Sequence, residues 1–141
     1  MESDSRRRWK VVAGLSLLVV FYWLAMFVAT HVPIQTTPGG NPYSIDKLEH
    51  LTAFAALAAL LHALAAAMGF RSWNYAAAIL CFIAVYALVD EATQVSPRTP
   101  EVLDWVADVI GASVGIALFR SMRLLVAARR VEITSAAHRN R

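Results

Sequence analysis

Charge is what this sequence has least of: of its 141 residues only 16% are charged, while 58% are hydrophobic. A soluble domain carries roughly 25% charged residues and about half apolar ones, so a water-soluble globular fold of this size is excluded. Cysteine is almost missing. The single Cys81 rules out an intrachain disulfide, leaves the redox compartment undetermined and, inside an apolar run, reads as a small hydrophobe without a redox or metal role. Internal repeats are absent, and the alanine-rich stretch after His50 is the nearest thing to low complexity. The formal net charge of +3 is small, and the apolar blocks between the basic residues point to a membrane and away from nucleic acid.

What is there is four long apolar runs. A hydrocarbon core of about 30 Å takes ~20 residues of helix. Val11–Ala29 is an uncharged run of 19 residues. That exceeds the ~7–15 of a signal-peptide core, and no A-x-A site follows it, so it reads as an uncleaved signal-anchor. Leu48–Met68 is apolar apart from Glu49, His50, Thr52 and His62; Trp73–Val89 follows, then Val102–Phe119, provided Asp104 and Asp108 are tolerated. Pro33, Pro38, Gly39, Gly40 and Pro42 mark the first loop, Gly69–Ser72 a tight connection, and Ser96–Pro100 a break with Thr99 as N-cap and Pro100 at the first helical position. The expected architecture is an all-α, integral membrane four-helix bundle. A basic tail covers 1–10, a membrane domain 11–119 (spans about 11–29, 48–68, 73–94 and 100–119), and a second basic tail 120–141, its stretch Arg120–Arg130 lying along an anionic leaflet.

Charge asymmetry orients it. Eleven of the 13 Lys and Arg lie in the two tails and the Gly69–Ser72 turn; the other ends of the spans hold only Lys47 and Arg98. By the positive-inside rule both termini are cytoplasmic. Seven of the 10 acids, Asp46, Glu49, Asp90, Glu91, Glu101, Asp104 and Asp108, gather at the opposite, outer ends. Trp9 and Trp73 are expected in the inner aromatic belt and Trp105 in the outer one, while Tyr22 and Trp23 are expected to pack between helices.

The outer ends carry the chemistry. From Trp73 to Leu88 a helix rises roughly 24 Å, short of the hydrocarbon thickness, so Asp90 and Glu91 fall within the bilayer edge. Charged groups there face a bundle interior or a watery cavity. Asp104, Asp108, Gly111 and Gly115 follow helical steps onto one face, and the glycine pair is a small-xxx-small motif that lets another backbone approach. Asp46 and His50 are one turn apart, as are Tyr86, Asp90 and Gln94. The candidate polar cluster is therefore Asp46, Lys47, His50, Asp90, Glu91, Gln94, Arg98, Asp104 and Asp108, with Gly111 and Gly115 for packing. Purely structural roles stand beside it. Asp46 and His50 can pair at a helix end; Asp90, Glu91 and Gln94 can pair with Arg98 or Lys47; Asp104 can serve the helix dipole. His62 is expected to hydrogen-bond a neighbouring helix or to snorkel, and His31 to be interfacial. No metal-ligand spacing such as H-E-x-x-H is present, and no metal or cofactor is assigned.

Asp46-Lys47-Leu48-Glu49-His50 with Phe54, then Asp90-Glu91-Ala92-Thr93-Gln94, then Arg98, then Asp104-Trp105-Val106-Ala107-Asp108 with Gly111 and Gly115, resemble the VanZ-like family. The resemblance runs from about Asp46 to Gly115. It departs at Asp108, where the family usually carries Asn. It implies a small four-span protein of the cell envelope, in a bacterial cytoplasmic membrane, whose namesake is associated with resistance to the glycopeptide teicoplanin. It carries no catalytic set.

Three functions are compatible with the residues, in this order. The first is a non-enzymatic protein binding a lipid headgroup or an amphiphilic glycopeptide in an outer polar pocket. The second is an enzyme on a lipid-linked substrate, with His50 and carboxylates as acid and base or as holders of a divalent metal. The third is a proton-coupled carrier, ranked last because the acids sit only at one end. Membrane lipids are the expected partners; the sequence leaves the oligomeric state open.

Overall fold

The computed structural model describes residues 2–31, 42–93 and 101–139, all helical apart from short connections. Four helices follow in order: α1 Glu2–His31, α2 Pro42–Met68, α3 Trp73–Thr93 and α4 Val102–Arg139. Each is long and apolar enough to cross a membrane, and the chain is a multi-pass, all-α membrane protein. Leucines, valines and aromatics such as Leu17, Phe21, Val85, Leu88, Leu103 and Leu118 stand exposed around the bundle. In water such a surface would aggregate; in lipid it is the solvent-matched face.

The helices outrun the expected spans. α1 begins within the basic tail and α4 continues through Arg120 to Arg139 as one helix. The expected cap at Thr99 and Pro100 lies outside the described residues. α4 opens at Val102, with the Glu101 carbonyl accepting the N–H groups of Asp104 (3.0 Å) and Trp105 (3.4 Å).

The connection between α2 and α3 is built as the sequence suggested. Gly69 adopts φ +103°, a left-handed conformation that residues with a Cβ resist. Its N–H reaches the Ala66 carbonyl at 3.1 Å and that of Phe70 reaches Ala65 at 2.8 Å, the paired bonds of a Schellman ending. Arg8 of α1 completes it, donating from Nε to Ala67 O (3.2 Å) and from Nη2 to Met68 O (2.7 Å). A cation on the orphan carbonyls of a helix C-terminus is favourable on dipole grounds. At the same end the Arg120 guanidinium lies 3.6 Å over the Trp73 ring. The basic end of the bundle is thus knit together by arginines from α1 and α4.

α2 is the central helix, touching all three others, and its contact with α4 is the most extensive in the bundle. The core is thin and rich in alanine: Phe54, Leu57, Ala58, Ala76, Ile83, Ala87, Ala112 and Ile116. Small residues let backbones close in where no hydrophobic effect drives helices together in lipid. Tyr22 and Trp23 pack against this core as expected. Tyr22 donates to Ala53 O at 3.0 Å, and Trp23 stands edge-on to Tyr86 and Phe82. Trp105 departs from expectation. It is not an interfacial belt residue but turns inward against the core, its Nε1–H donating to the Ala84 carbonyl of α3 at 2.9 Å. Indole has one polar atom, and inside lipid that atom must find an acceptor.

Candidate functional site

The α2–α4 contact sets the site. A Cβ on Gly111 would stand 2.2 Å from the Leu51 carbonyl oxygen, and one on Gly115 would stand 2.0 Å from that of Ala55. Only hydrogen fits at either place, so the glycines fix two backbones in direct contact. The two contacts advance in step along both chains, so α2 and α4 run parallel with a locked register. That register carries Asp104 and Asp108, two turns and one turn before Gly111, alongside Lys47 and His50 just before Leu51.

The acidic end of the bundle is where these groups meet. His50 Nδ1 and Asp108 Oδ1 are 2.9 Å apart, and Glu91 Oε1 lies 3.9 Å from the same nitrogen. Lys47 Nζ donates to Asp104 Oδ1 at 2.6 Å and to Glu101 Oε2 at 3.1 Å. The second oxygen of Glu91 accepts the backbone N–H of Glu101 at 3.2 Å, tying α3 to the start of α4. Asp90 Oδ1 accepts from Tyr86 Oη (3.1 Å) and from Thr30 Oγ1 of α1 (3.3 Å). Asp90, Glu91, Asp104, Asp108 and His50 are only 1–6% exposed.

Such burial is costly. A carboxylate in low dielectric is tolerated when paired and hydrogen-bonded, yet Asp90 Oδ2 and Asp108 Oδ2 have no hydrogen-bond partner. Among the described residues the cluster sets six carboxylates (Asp46, Asp90, Glu91, Glu101, Asp104, Asp108) against one lysine and two histidines. Two overlapping groups have the make-up of metal ligands: His50, Glu91 and Asp108, and Asp46, His50 and Asp104. In each, one ligand atom per residue lies within 4.8 Å of the others.

Of the expected cluster, Asp46, Lys47, His50, Asp90, Glu91, Asp104 and Asp108 come together at this end; Gln94 and Arg98 lie outside the described residues. Several pairings differ from expectation. His50 bonds Asp108 on α4 rather than Asp46 on its own helix, because register places Asp108 directly across from it. Lys47 pairs with Asp104 and Glu101, not with the acids of α3. His62 neither snorkels nor hydrogen-bonds through Nδ1. Its ring is buried edge-on to Phe119 and that nitrogen has no partner. His31 is not merely interfacial: Nε2 lies 3.1 Å from Thr93 Oγ1 and Nδ1 is 3.9 Å from Asp90 Oδ1. Thr30, His31 and Glu101 are thus members that sequence reasoning left out of the cluster. Thr30 and His31 end the first span at the depth of Asp90, and matching depth alone would have pointed to them.

A groove of about 450 Å³ between α3 and α4, lined by Trp73, Asn74, Ala76, Leu80, Ser113 and Ile116, lies toward the basic end and shares no residue with the cluster. No curated protein and no solved structure gives a significant match to the chain. A family profile does, and it reaches beyond the motifs on both sides. With residues 2–125 matching the VanZ/LLP1 profile across all four helices, the chain belongs to the VanZ/LLP1 family.

Proposed function

We propose that this protein is a membrane-embedded binding protein that holds the positively charged head of an amphiphile at its acidic end. An aminophospholipid headgroup and the amine of an amphiphilic glycopeptide share that chemistry. The observation that carries the reading is that two buried carboxylate oxygens, Asp90 Oδ2 and Asp108 Oδ2, bond to nothing. A ligand bringing positive charge and N–H donors relieves that deficit, and lipid-exposed helices deliver amphiphiles to it from the side.

The test uses purified protein in nanodiscs and a fluorescent phosphatidylethanolamine or teicoplanin as probe. Alanine at Asp90, Glu91 or Asp104 weakens binding at least tenfold while size exclusion and helical circular dichroism stay those of the parent. Unchanged binding in all three variants refutes the reading.

The same site sits at the outer leaflet of a bacterial cytoplasmic membrane if both termini are cytoplasmic, as the arginines near the α2–α3 turn suggest. A cysteine introduced as Ser72→Cys in the Cys81→Ala background is then labelled by an impermeant maleimide only after cells are permeabilised. Labelling of intact cells would reverse the orientation.

One observation favours a second reading, a membrane enzyme on a lipid-linked substrate. The contact of His50 Nδ1 with Asp108 is that of an imidazole base oriented by a carboxylate. Turnover of a polyprenyl-phosphate-linked sugar by the wild type, abolished in His50→Gln, would establish it; no turnover retires it.

A further inference from the structure

We propose that His50, Glu91 and Asp108 bind one divalent transition cation, held in the deep layer of the acidic cluster beneath Asp46, Lys47 and Glu101. The inference rests on the reading of this cluster as a ligand site and names its innermost ligand.

Four observations converge. The three side chains come from α2, α3 and α4 and offer a nitrogen and two carboxylate oxygens within 4.8 Å of one another. The two separations from His50 Nδ1, 2.9 Å and 3.9 Å, bracket the ligand–ligand edge of about 3.3 Å that metal–ligand bonds of ~2.0–2.1 Å give in a tetrahedron. Movements of half an ångström would satisfy the ion. All three are buried, 1–6% exposed, so bulk water solvates them poorly. And Asp108 Oδ2, on a side chain 1% exposed, makes no hydrogen bond, leaving an anionic oxygen in the cluster with coordination to spare.

The surroundings fit a metal's outer shell. Glu91 is oriented by the Glu101 N–H on its far oxygen. Asp90, pinned by Tyr86 and Thr30, keeps Oδ2 without a partner. Groups that orient ligands in this way tune metal affinity by 10–100-fold. The overlapping set Asp46, His50 and Asp104 is the weaker choice, because Asp46 is only partly buried whereas His50, Glu91 and Asp108 are all buried. One imidazole with two carboxylates suits Zn²⁺ or Mn²⁺ better than Ca²⁺, which takes all-oxygen shells. On binding, the ion takes the place of any proton on His50 Nδ1, and that proton leaves to solvent. With the ion in the deep layer, the carboxylates of Asp46 and Glu101 remain above it to receive an amine head.

The experiment titrates Zn²⁺ and Mn²⁺ alone into chelator-stripped, detergent-purified protein, with metal content measured after dialysis. One equivalent per chain is expected. Glu91→Gln and Asp108→Asn, near-isosteric changes, should each weaken binding by about 100-fold or more, beyond an outer-shell loss; Asp46→Asn should change it less than tenfold. Failure of the wild type to retain an equivalent overturns the proposal without recourse to any variant. So does loss of binding in Asp46→Asn with retention in Glu91→Gln. Repeating the phosphatidylethanolamine titration in excess chelator separates the two readings: amphiphile binding that survives while the wild type holds no metal leaves the headgroup site standing and removes the ion. Stoichiometric metal with no amphiphile binding does the reverse.

Discussion

Leucine at Gly115 is expected to abolish the folded bundle. The first side-chain carbon alone would meet the Ala55 carbonyl oxygen at 2.0 Å, with that residue's carbonyl carbon at 2.8 Å and its Cα at 3.0 Å. Backbone atoms cannot rotate away as a flexible side chain can, so α4 must retreat from α2. Alanine already forces a shift of about an ångström, and overpacking of this kind costs roughly 1–3 kcal/mol. Leucine adds three more carbons to the same gap. Gly115→Ala should therefore lower the thermal midpoint in detergent and Gly115→Leu should leave no monodisperse protein on size exclusion. Gly14, whose Cβ would meet nothing within 4 Å, supplies the control: Gly14→Ala should lie within about 1 kcal/mol of the parent, the scale of helix propensity. Equal behaviour of Gly14→Leu and Gly115→Leu would show that the α2–α4 approach is not what holds the fold.

The second large effect belongs to the His50–Asp108 pair. Removing one member of a buried pair strands the other, at roughly 3–5 kcal/mol. His50→Ala is thus expected to be severely destabilising, because Asp108 loses its one hydrogen-bonded partner at 1% exposure. Asp108→Asn should be tolerated or stabilising. Its amide oxygen still accepts from the imidazole, and one carboxylate disappears from an overcharged cluster. That substitution keeps the side chain's size while removing its charge, so it separates fold from ligand. Stability should hold while cation binding falls. The double variant His50→Ala/Asp108→Ala should cost less than the two single changes added together. Additive losses measured by chemical denaturation in micelles would show that the two groups do not act as a pair.

Much of this was legible in the sequence, and what was missed has a common cause. Four spans follow from length and apolarity, and their order from the loops between them. The inward face of α4 followed from the steps Asp104, Asp108, Gly111 and Gly115, because period alone decides which residues of one helix share a face. Partners across helices are another matter. Which acid meets His50 depends on how α2 and α4 are rotated and slid against each other. Helices apolar on every side have no amphipathic stripe to announce that rotation. Hence Asp46 was as reasonable a partner as Asp108 until the glycine contacts fixed the register. Trp105 was misplaced for the same reason: depth suggested an interface, but rotation turned the indole toward Ala84. Thr30 and His31 went unrecognised because neither belongs to the acidic motifs that mark the outer helix ends, whereas Asp90, which they approach, does.

The parts form one chain of cause. Glycines bring α2 and α4 into contact; the contact aligns His50 with Asp108 and Lys47 with Asp104; α3 adds Asp90 and Glu91, and α1 closes the side with Thr30 and His31. The resulting cluster is buried and acidic, and two of its carboxylate oxygens, Asp90 Oδ2 and Asp108 Oδ2, have no hydrogen-bond partner. In a membrane, where unsatisfied polar groups cost several kcal/mol each, its persistence calls for an occupant.

Native mass spectrometry offers the most direct measurement of that occupant. Wild type and the Glu91→Gln/Asp108→Asn variant would be sprayed from micelles holding equal amounts of phosphatidylethanolamine and phosphatidylglycerol. Retention of the amine lipid by the wild type, with that preference gone in an equally folded variant, is the expected result. An identical lipid pattern on both proteins would contradict the account that the buried carboxylates hold the amine head.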